Sequence, residues 1–297
     1  MDLQTEGVAG TVVTFAGGSL HEAALVVFSA EVGGEWLVVT DRSPFHPVSL
    51  SWPDQPGDRG WLICGANRIR VLDSREGLLN LRTGVLSVGD AARALKRSDP
   101  DLTSVVLHVT ETAPTTKAVA LEVDATFRAA LSLQHTGVHL AALALNRVAS
   151  GFWSKDPQDP DSLGAPNLDK AAVTRSEISE EASTDHYRLG KSLRKKGFDA
   201  AGFLADLPAR ATELNEALRG LLATPAPAPI QISPVEGPLA DRRVWSTRLN
   251  GAEIAMPCGG THLTDLAELT EVMVSMGPTE DGFVMRTCSI PTASHKD

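Results

Sequence analysis

The chain has 297 residues, 42% of them hydrophobic and 22% charged, which supplies a core and excludes a wholly disordered protein. Its net charge of −10 argues against whole-surface affinity for phosphate backbones, though not against a local basic patch, and 5% aromatics with a single Tyr give few stacking platforms for bases. Three cysteines (Cys64, Cys258, Cys288) cannot build a disulfide framework; with no basic leader region and no apolar run near ~20 residues, the expectation is a soluble, cytoplasmic protein with no membrane partner.

The first third patterns as β-structure. Thr11 to Phe15, Ala24 to Ala30 and Glu35 to Thr40 are short runs rich in Val and Thr, broken at Gly17-Gly18 and Gly33-Gly34. A turn-rich stretch, Ser43 to Gly60, precedes further strands at Trp61 to Ile63, Asn67 to Leu72, Ser104 to Val109 and Val119 to Val123, with a short helix expected between Ser87 and Lys96. Many short strands with Gly/Pro turns predict a small barrel or curled sheet. Past Asp124 the period changes: Phe127, Leu131, Val138, Ala142, Leu145 and Val148 predict a long helix over Ala125 to Ala149. A polar loop follows from Trp153 to Pro166. Helices are expected over Glu177 to Lys196 and Phe203 to Leu222, then an extended Thr224-to-Pro229 connector, strands at Val244 to Leu249 and Glu253 to Ala255 around an Asn250-Gly251 turn, a short helical stretch, and a closing strand at Phe283 to Ser289.

Two pairs of residues carry the chemistry. His135 and His139 lie four apart on the long helix, so both imidazoles leave one face a turn apart. Cys258 and His262 are also four apart, across Gly259-Gly260-Thr261, where glycines permit a tight backbone. One thiol and three imidazoles are what a tetrahedral zinc site needs, although either pair alone is weak evidence and a lone His-x-x-x-His on a helix is more often structural or accidental.

In this context Gln134-His135-Thr136-Gly137-Val138-His139 and Cys258-Gly259-Gly260-Thr261-His262 resemble the two metal motifs of alanyl-tRNA synthetase editing domains and of freestanding alanyl-tRNA editing proteins. Asp41-Arg42-Ser43-Pro44-Phe45, then Gln55-Pro56-Gly57-Asp58-Arg59-Gly60, resembles a further loop of that family, and Val123-Asp124 with Arg128 precedes the histidine motif as it does there. The resemblance implies an α+β fold, with an N-terminal β-barrel-like domain over residues 1–122 and a zinc-containing two-layer α/β editing domain over residues 123–297. It also implies a Zn²⁺ cofactor on His135, His139, Cys258 and His262, the two helix histidines acting in catalysis through the metal. The partner would be aminoacylated tRNA, and the reaction hydrolysis of a wrongly attached amino acid, with metal and nearby donors stabilising the developing oxyanion. Four protein ligands close a zinc site, whereas activation of water needs an open position.

This chain departs from the family in the loop before Gln55. His46 follows Phe45 where the family has Tyr, and Leu50-Ser51-Trp52-Pro53-Asp54 replaces small glycines. Gln55, Thr136, Trp52 and His46 are therefore the candidate substrate-binding residues, Thr136 being equally suited to helix packing. The implied substrate is serine or glycine on alanine tRNA, or a threonine-like analogue such as fluorothreonine on threonine tRNA, given the family's kinship with threonyl-tRNA editing domains and fluorothreonyl-tRNA deacylases. A zinc-stabilised tRNA- or protein-binding module without hydrolysis, and a hydrolase of small amino-acid esters, are the alternatives. Arg194, Lys195 and Lys196, in a cluster with Arg188 and Lys191, are the candidate tRNA contacts; a solvated helix face would show the same pattern. His21, His108, His186 and His295 have no partner at metal-ligand spacing and are expected at the surface or satisfied by hydrogen bonds.

Overall fold

The computed structural model describes residues 1–155, 159–223 and 228–293. Most of the expected 224–229 connector, part of the 153–166 loop, and His295 lie outside the described residues. The fold is mixed α+β, dominated by sheets.

In chain order the strands and helices are β1 Asp2–Gln4, β2 Val12–Val13, β3 His21–Val32, β4 Glu35–Thr40, β5 Arg42–Ser43, β6 Gly60–Cys64, β7 Asn67–Asn80, β8 Val85–Ser87, α1 Asp90–Arg93, β9 Leu102–Thr110 and β10 Ala118–Val123. Then come α2 Ala125–Ala149, α3 Leu168–Ala172, β11 Val173–Ile178, β12 Ser183–Arg188, α4 Lys191–Lys195, α5 Ala200–Leu204 and α6 Leu207–Leu222. The chain continues with β13 Gln231–Ser233, β14 Gly237–Pro238, β15 Val244–Leu249, β16 Ala252–Pro257, β17 Leu269–Pro278 and β18 Gly282–Pro291.

The backbone divides into two units, one of Met1–Arg128, Ile232–Val244 and Cys258–Thr261, the other of Ala129–Gln231, Trp245–Pro257 and His262–Asp297. In the first unit the strand order β7-β6-β10-β3-β4-β9, with β9 returning to β7, closes a ring. The long β7 makes this possible. Its first part pairs with β6, and from Val71 to Asn80 it pairs with β9. Bulges between Val71 and Asp73 in β7 and between Val26 and Phe28 in β3 add the local bend that a curling sheet requires. Alternation does the rest: Val13, Phe15, Val38, Phe45, Leu62, Val71, Val106 and Leu121 form one buried cluster, and Val39, Leu79, Leu86, Val105 and Leu107 a second.

Sequence pattern stopped β7 at Leu72, but the strand runs on through Asp73-Ser74-Arg75-Glu76. Ser74 and Glu76 are buried, and their polar atoms are paired, so an apolar alternation was absent where the strand nevertheless continues. The helix expected from Ser87 to Lys96 shrinks to the single turn of α1, because Ser87 ends strand β8.

In the second unit β11-β12-β18-β17 form an antiparallel sheet against which α6 packs through β17. Leu214, Leu218 and Leu221 make the buried stripe of α6, and the Asp206 carboxylate caps it by accepting from Ala209 N–H at 2.9 Å. β15 and β16 meet at Asn250 and Gly251, whose φ of 50° and 83° are the left-handed values a tight hairpin turn requires. The expected helix over Glu177 to Lys196 is overturned: that segment supplies β11, β12 and only one short helix, α4. Its buried positions alternate as Ser183, Asp185, Tyr187 and Leu189, a strand period whose first two positions are polar and which an apolar template does not register. The edge strand β17 replaces most of the short helical stretch expected before the last strand; only Leu266–Glu268 makes one helical turn.

Candidate metal centre

Helix α2 places the first two ligands. Its start is fixed by Asp124, whose Oδ1 accepts from Thr126 and Phe127 N–H, each at 3.1 Å. Within the motif, Gln134 donates from Nε2 to Ser289 O at 3.1 Å and accepts from Ser289 N–H at 2.9 Å, an amide clamp between helix and β18. A Cβ at Gly137 would overlap Ser289 Oγ, so glycine is what lets the helix lie this close to the strand. Two motif residues thus dock the helix, which leaves His135 and His139 as the motif's candidate metal ligands.

The second pair comes from the turn after β16. Cys258 N–H donates to Arg243 O at 3.0 Å, and His262 follows Thr261 directly. One ligand atom each from His135, His139, Cys258 and His262 lies within 4.8 Å of all the others. The imidazole centroids are 4.2 Å (His135–His262), 4.8 Å (His139–His262) and 5.0 Å (His135–His139) apart. Trp245, fully buried, stands 5.0 Å from the His139 ring and forms an apolar wall.

Three properties of this cluster suit a metal ion. Nε2 of His139 is buried and has no hydrogen-bond partner among the described residues. Burial pushes the His139 imidazole down to about 4, which keeps it neutral and able to ligate. Burial pushes the Cys258 thiol up to about 12, with the Asp54 charge acting in the same sense against a hydrogen bond from Gly260; an isolated thiolate there is strongly disfavoured, and a cation would offset that cost. The donor set is that of a transition metal, three imidazoles and a sulfur.

The other predicted residues separate clearly. Gln55 is buried, and both ends of its amide engage Thr261: Nε2 donates to Oγ1 at 2.8 Å and Oε1 accepts from N–H at 3.1 Å. Thr136 is fully buried and hydrogen-bonded around His262. Trp52 is 42% exposed, its backbone N–H held by Ser49 Oγ and its side chain hydrogen-bonded to Asp54. His46 is buried edge-on against Phe15 at 5.0 Å, and burial lowers it to about 4. Arg188, Lys191, Arg194, Lys195 and Lys196 are all exposed, Arg188 at the end of β12 and the rest on or just after α4. Of the histidines without partner spacing, His108 is satisfied by Ser43 Oγ at 2.9 Å and Val38 O at 3.1 Å, whereas His21 is exposed and His186 half-buried.

Several residues that shape this region escaped sequence reasoning. Trp245 had no pattern to mark it. Asp54, pushed up to about 6 by burial, sits beside the Gln-Pro-Gly-Asp motif without belonging to it. Glu76 accepts from Leu50 N–H at 2.9 Å and from Ser104 Oγ at 2.7 Å, and pairs with Arg97, which also reaches Ser51; together they hold the Ser49–Gln55 loop.

Against known proteins, the chain is similar to alanine–tRNA ligases: 25% identical over 250 residues to that of Chlorobium luteolum, 24% over 257 residues to that of Metallosphaera sedula and 33% over 172 residues to that of Chlorobium phaeobacteroides. The alignments cover 82%, 84% and 55% of this chain. The chain spans less than a quarter of the length of these relatives, 24%, 23% and 18% respectively. No family model matches it. The resemblance to alanyl-tRNA synthetases drawn from the motifs is borne out over most of the chain.

Proposed function

We propose that this chain is a zinc-dependent aminoacyl-tRNA deacylase that acts in trans, in the cytoplasm, on tRNA carrying a wrong amino acid. The observation that carries the reading is the convergence of His135, His139, Cys258 and His262 in a chain similar to alanine–tRNA ligases over most of its length. The ring of strands β6, β10, β3, β4, β9 and β7 corresponds in this reading to the family's N-terminal barrel, and residues 123–297 to the editing domain. The three histidines and Cys258 would hold Zn²⁺, which when bound acts as a Lewis acid on the ester. The protein's own part is to keep the His139 imidazole neutral by burial, to exclude water with Trp245, and to brace the cysteine–histidine turn through the Gln55–Thr261 pair.

The acyl group is selected, on this proposal, by the Ser49–Gln55 loop. Exposed Trp52 and half-buried Asp54 stand where the family has small glycines, and an added methyl in an apolar pocket discriminates by only ~1–3 kcal/mol, so a clash or an unpaired polar group must supply the remainder. That favours a small β-hydroxy amino acid such as serine, or a threonine-like analogue such as fluorothreonine, over the correct one. Arg194, Lys195 and Lys196, all exposed, are the proposed contacts for the tRNA backbone.

The test is a panel of tRNAs charged with serine, glycine, alanine, threonine and fluorothreonine, followed for loss of the ester with and without the protein. We expect fast hydrolysis of one or two mischarged species and slow hydrolysis of the rest. Binding of tRNA without acceleration for any member would replace this reading with the non-hydrolytic binding module, and equal turnover of a small aminoacyl ester would replace it with an RNA-independent hydrolase.

A further inference from the structure

The hydroxyl of Thr136 has three partners. It donates to Ser132 O at 2.8 Å, lies 3.3 Å from His262 Nδ1, and accepts from Leu263 N–H at 3.1 Å. A threonine hydroxyl has one proton and two acceptor lone pairs, so three partners use its whole capacity. Ser132 O is a carbonyl and can only accept, which commits the hydroxyl proton to it. Leu263 N–H can only donate, which takes one lone pair. The remaining lone pair can serve His262 only if Nδ1 bears a hydrogen.

From this we infer that Thr136 is a positioning residue that fixes His262 as the Nδ1–H tautomer, which puts the ligand lone pair on Nε2. The inference rests on the metal reading of the cluster and deepens it. Thr136 lies between His135 and His139 in sequence, and its side chain is fully buried. The same helix turn that supplies two ligands therefore also sets the protonation of a third, 126 residues further along the chain. A hydroxyl so engaged is not a contact for the acyl group. Partners that fix a ligating imidazole's tautomer are worth about 10–100-fold in metal affinity when removed.

The experiment uses the full chain as wild type, Thr136→Val and Thr136→Ser. The tautomer of His262 is read in metal-free protein at neutral pH from imidazole ¹⁵N shifts, and zinc affinity from competition with a chromogenic chelator. The expected result is Nδ1–H in wild type and in Thr136→Ser, against a mixture containing Nε2–H in Thr136→Val with a zinc affinity lower by about 10–100-fold. A wild-type His262 protonated on Nε2 would overturn the inference. So would a Thr136→Val protein that keeps both tautomer and affinity, or equal losses of affinity in the two variants with the tautomer unchanged, which is the outcome of a packing role. If the wild type takes up no zinc at all, the metal reading fails, while the tautomer measured without metal still decides the assignment to Thr136.

Discussion

Asp58 and His139 are both ionisable, both enclosed by protein, and both part of motifs shared with a family, yet their surroundings differ in kind. Asp58 sits at the centre of a closed network. Its carboxylate takes Nε of Arg128 at 2.8 Å and Nη2 as well, its Oδ2 accepts from His46 N–H, and its backbone N–H donates to His46 O at 2.8 Å. Arg128 closes the circuit by donating to Pro44 O at 2.7 Å. A Cβ at Gly57 would overlap Ser74 O, so the glycine before Asp58 serves close backbone approach. His139 instead has a buried ring nitrogen with no hydrogen-bond partner among the described residues, next to two other imidazoles and a thiol. Buried polar groups in folded proteins are nearly always paired, so the Asp58 carboxylate is spent on its neighbours, while the orphaned His139 nitrogen among metal-ligating side chains is a position that a metal ion could fill. Motif membership alone does not separate the two.

The largest expected effect comes from opening the closed network. Replacing Asp58 by Ala leaves the Arg128 guanidinium buried beside a cavity, and breaking a buried ion pair from one side costs about 3–5 kcal/mol. Urea unfolding of the metal-free protein should show this loss; a change below about 1 kcal/mol, the scale of an exposed ion pair, would mean that the network is not structural.

The open cluster should behave in the opposite way. Cys258→Ser removes the one sulfur donor but substitutes one protonated group for another, since the thiol is held neutral in the metal-free protein. Stoichiometric zinc and zinc-dependent activity should be lost, while the stability of metal-free protein changes by about 1 kcal/mol or less. Metal analysis together with metal-free unfolding curves checks both halves. A variant as destabilised as Asp58→Ala would erase the contrast.

The smallest effect sharpens the comparison through pH. His46 and His108 are lowered to about 4 by burial, against 6.5 for an ordinary histidine. The unfolded chain therefore binds more protons than the native one between pH 6.5 and 4. The stabilisation from keeping each ring neutral is fully present above pH 6.5 and is lost as pH falls towards 4, by at most on the order of 3 kcal/mol per group. Asp54, raised by burial from 3.8 to about 6, works in the reverse sense over part of that window. Comparing wild type with His108→Gln in urea at several pH values removes this opposing contribution. The variant should lose less stability on acidification, and parallel curves would show that His108 titrates normally.

Much of the centre was legible without coordinates because its chemistry is local. His135 and His139 need only a helical period and an uninterrupted run from Ala125 to Ala149, and Cys258 with His262 needs only two glycines between them. The strands β3, β4, β6, β9 and β10 announced themselves by β-branched runs and turns. Segments whose buried faces are polar did not: Ser183 and Asp185 in β12 carry no apolar alternation, and Ser74 and Glu76 in β7 look like turn residues until the partners that make their burial tolerable are known.

By itself, then, the order of residues determined which side chains could ligate a metal, where the long helix runs, and which family the chain resembles, since each depends on spacing along a few turns. Tertiary structure decided which polar residues are spent on one another. Gln55 and Thr136 are as suited by type to touch a substrate as to brace a neighbour, and only the structure shows Gln55 paired with Thr261 and Thr136 with Ser132, His262 and Leu263. Hydrogen-bond capacity is finite and its use is non-local: Gln55 meets Thr261 across 206 residues, a distance along the chain that no local pattern spans.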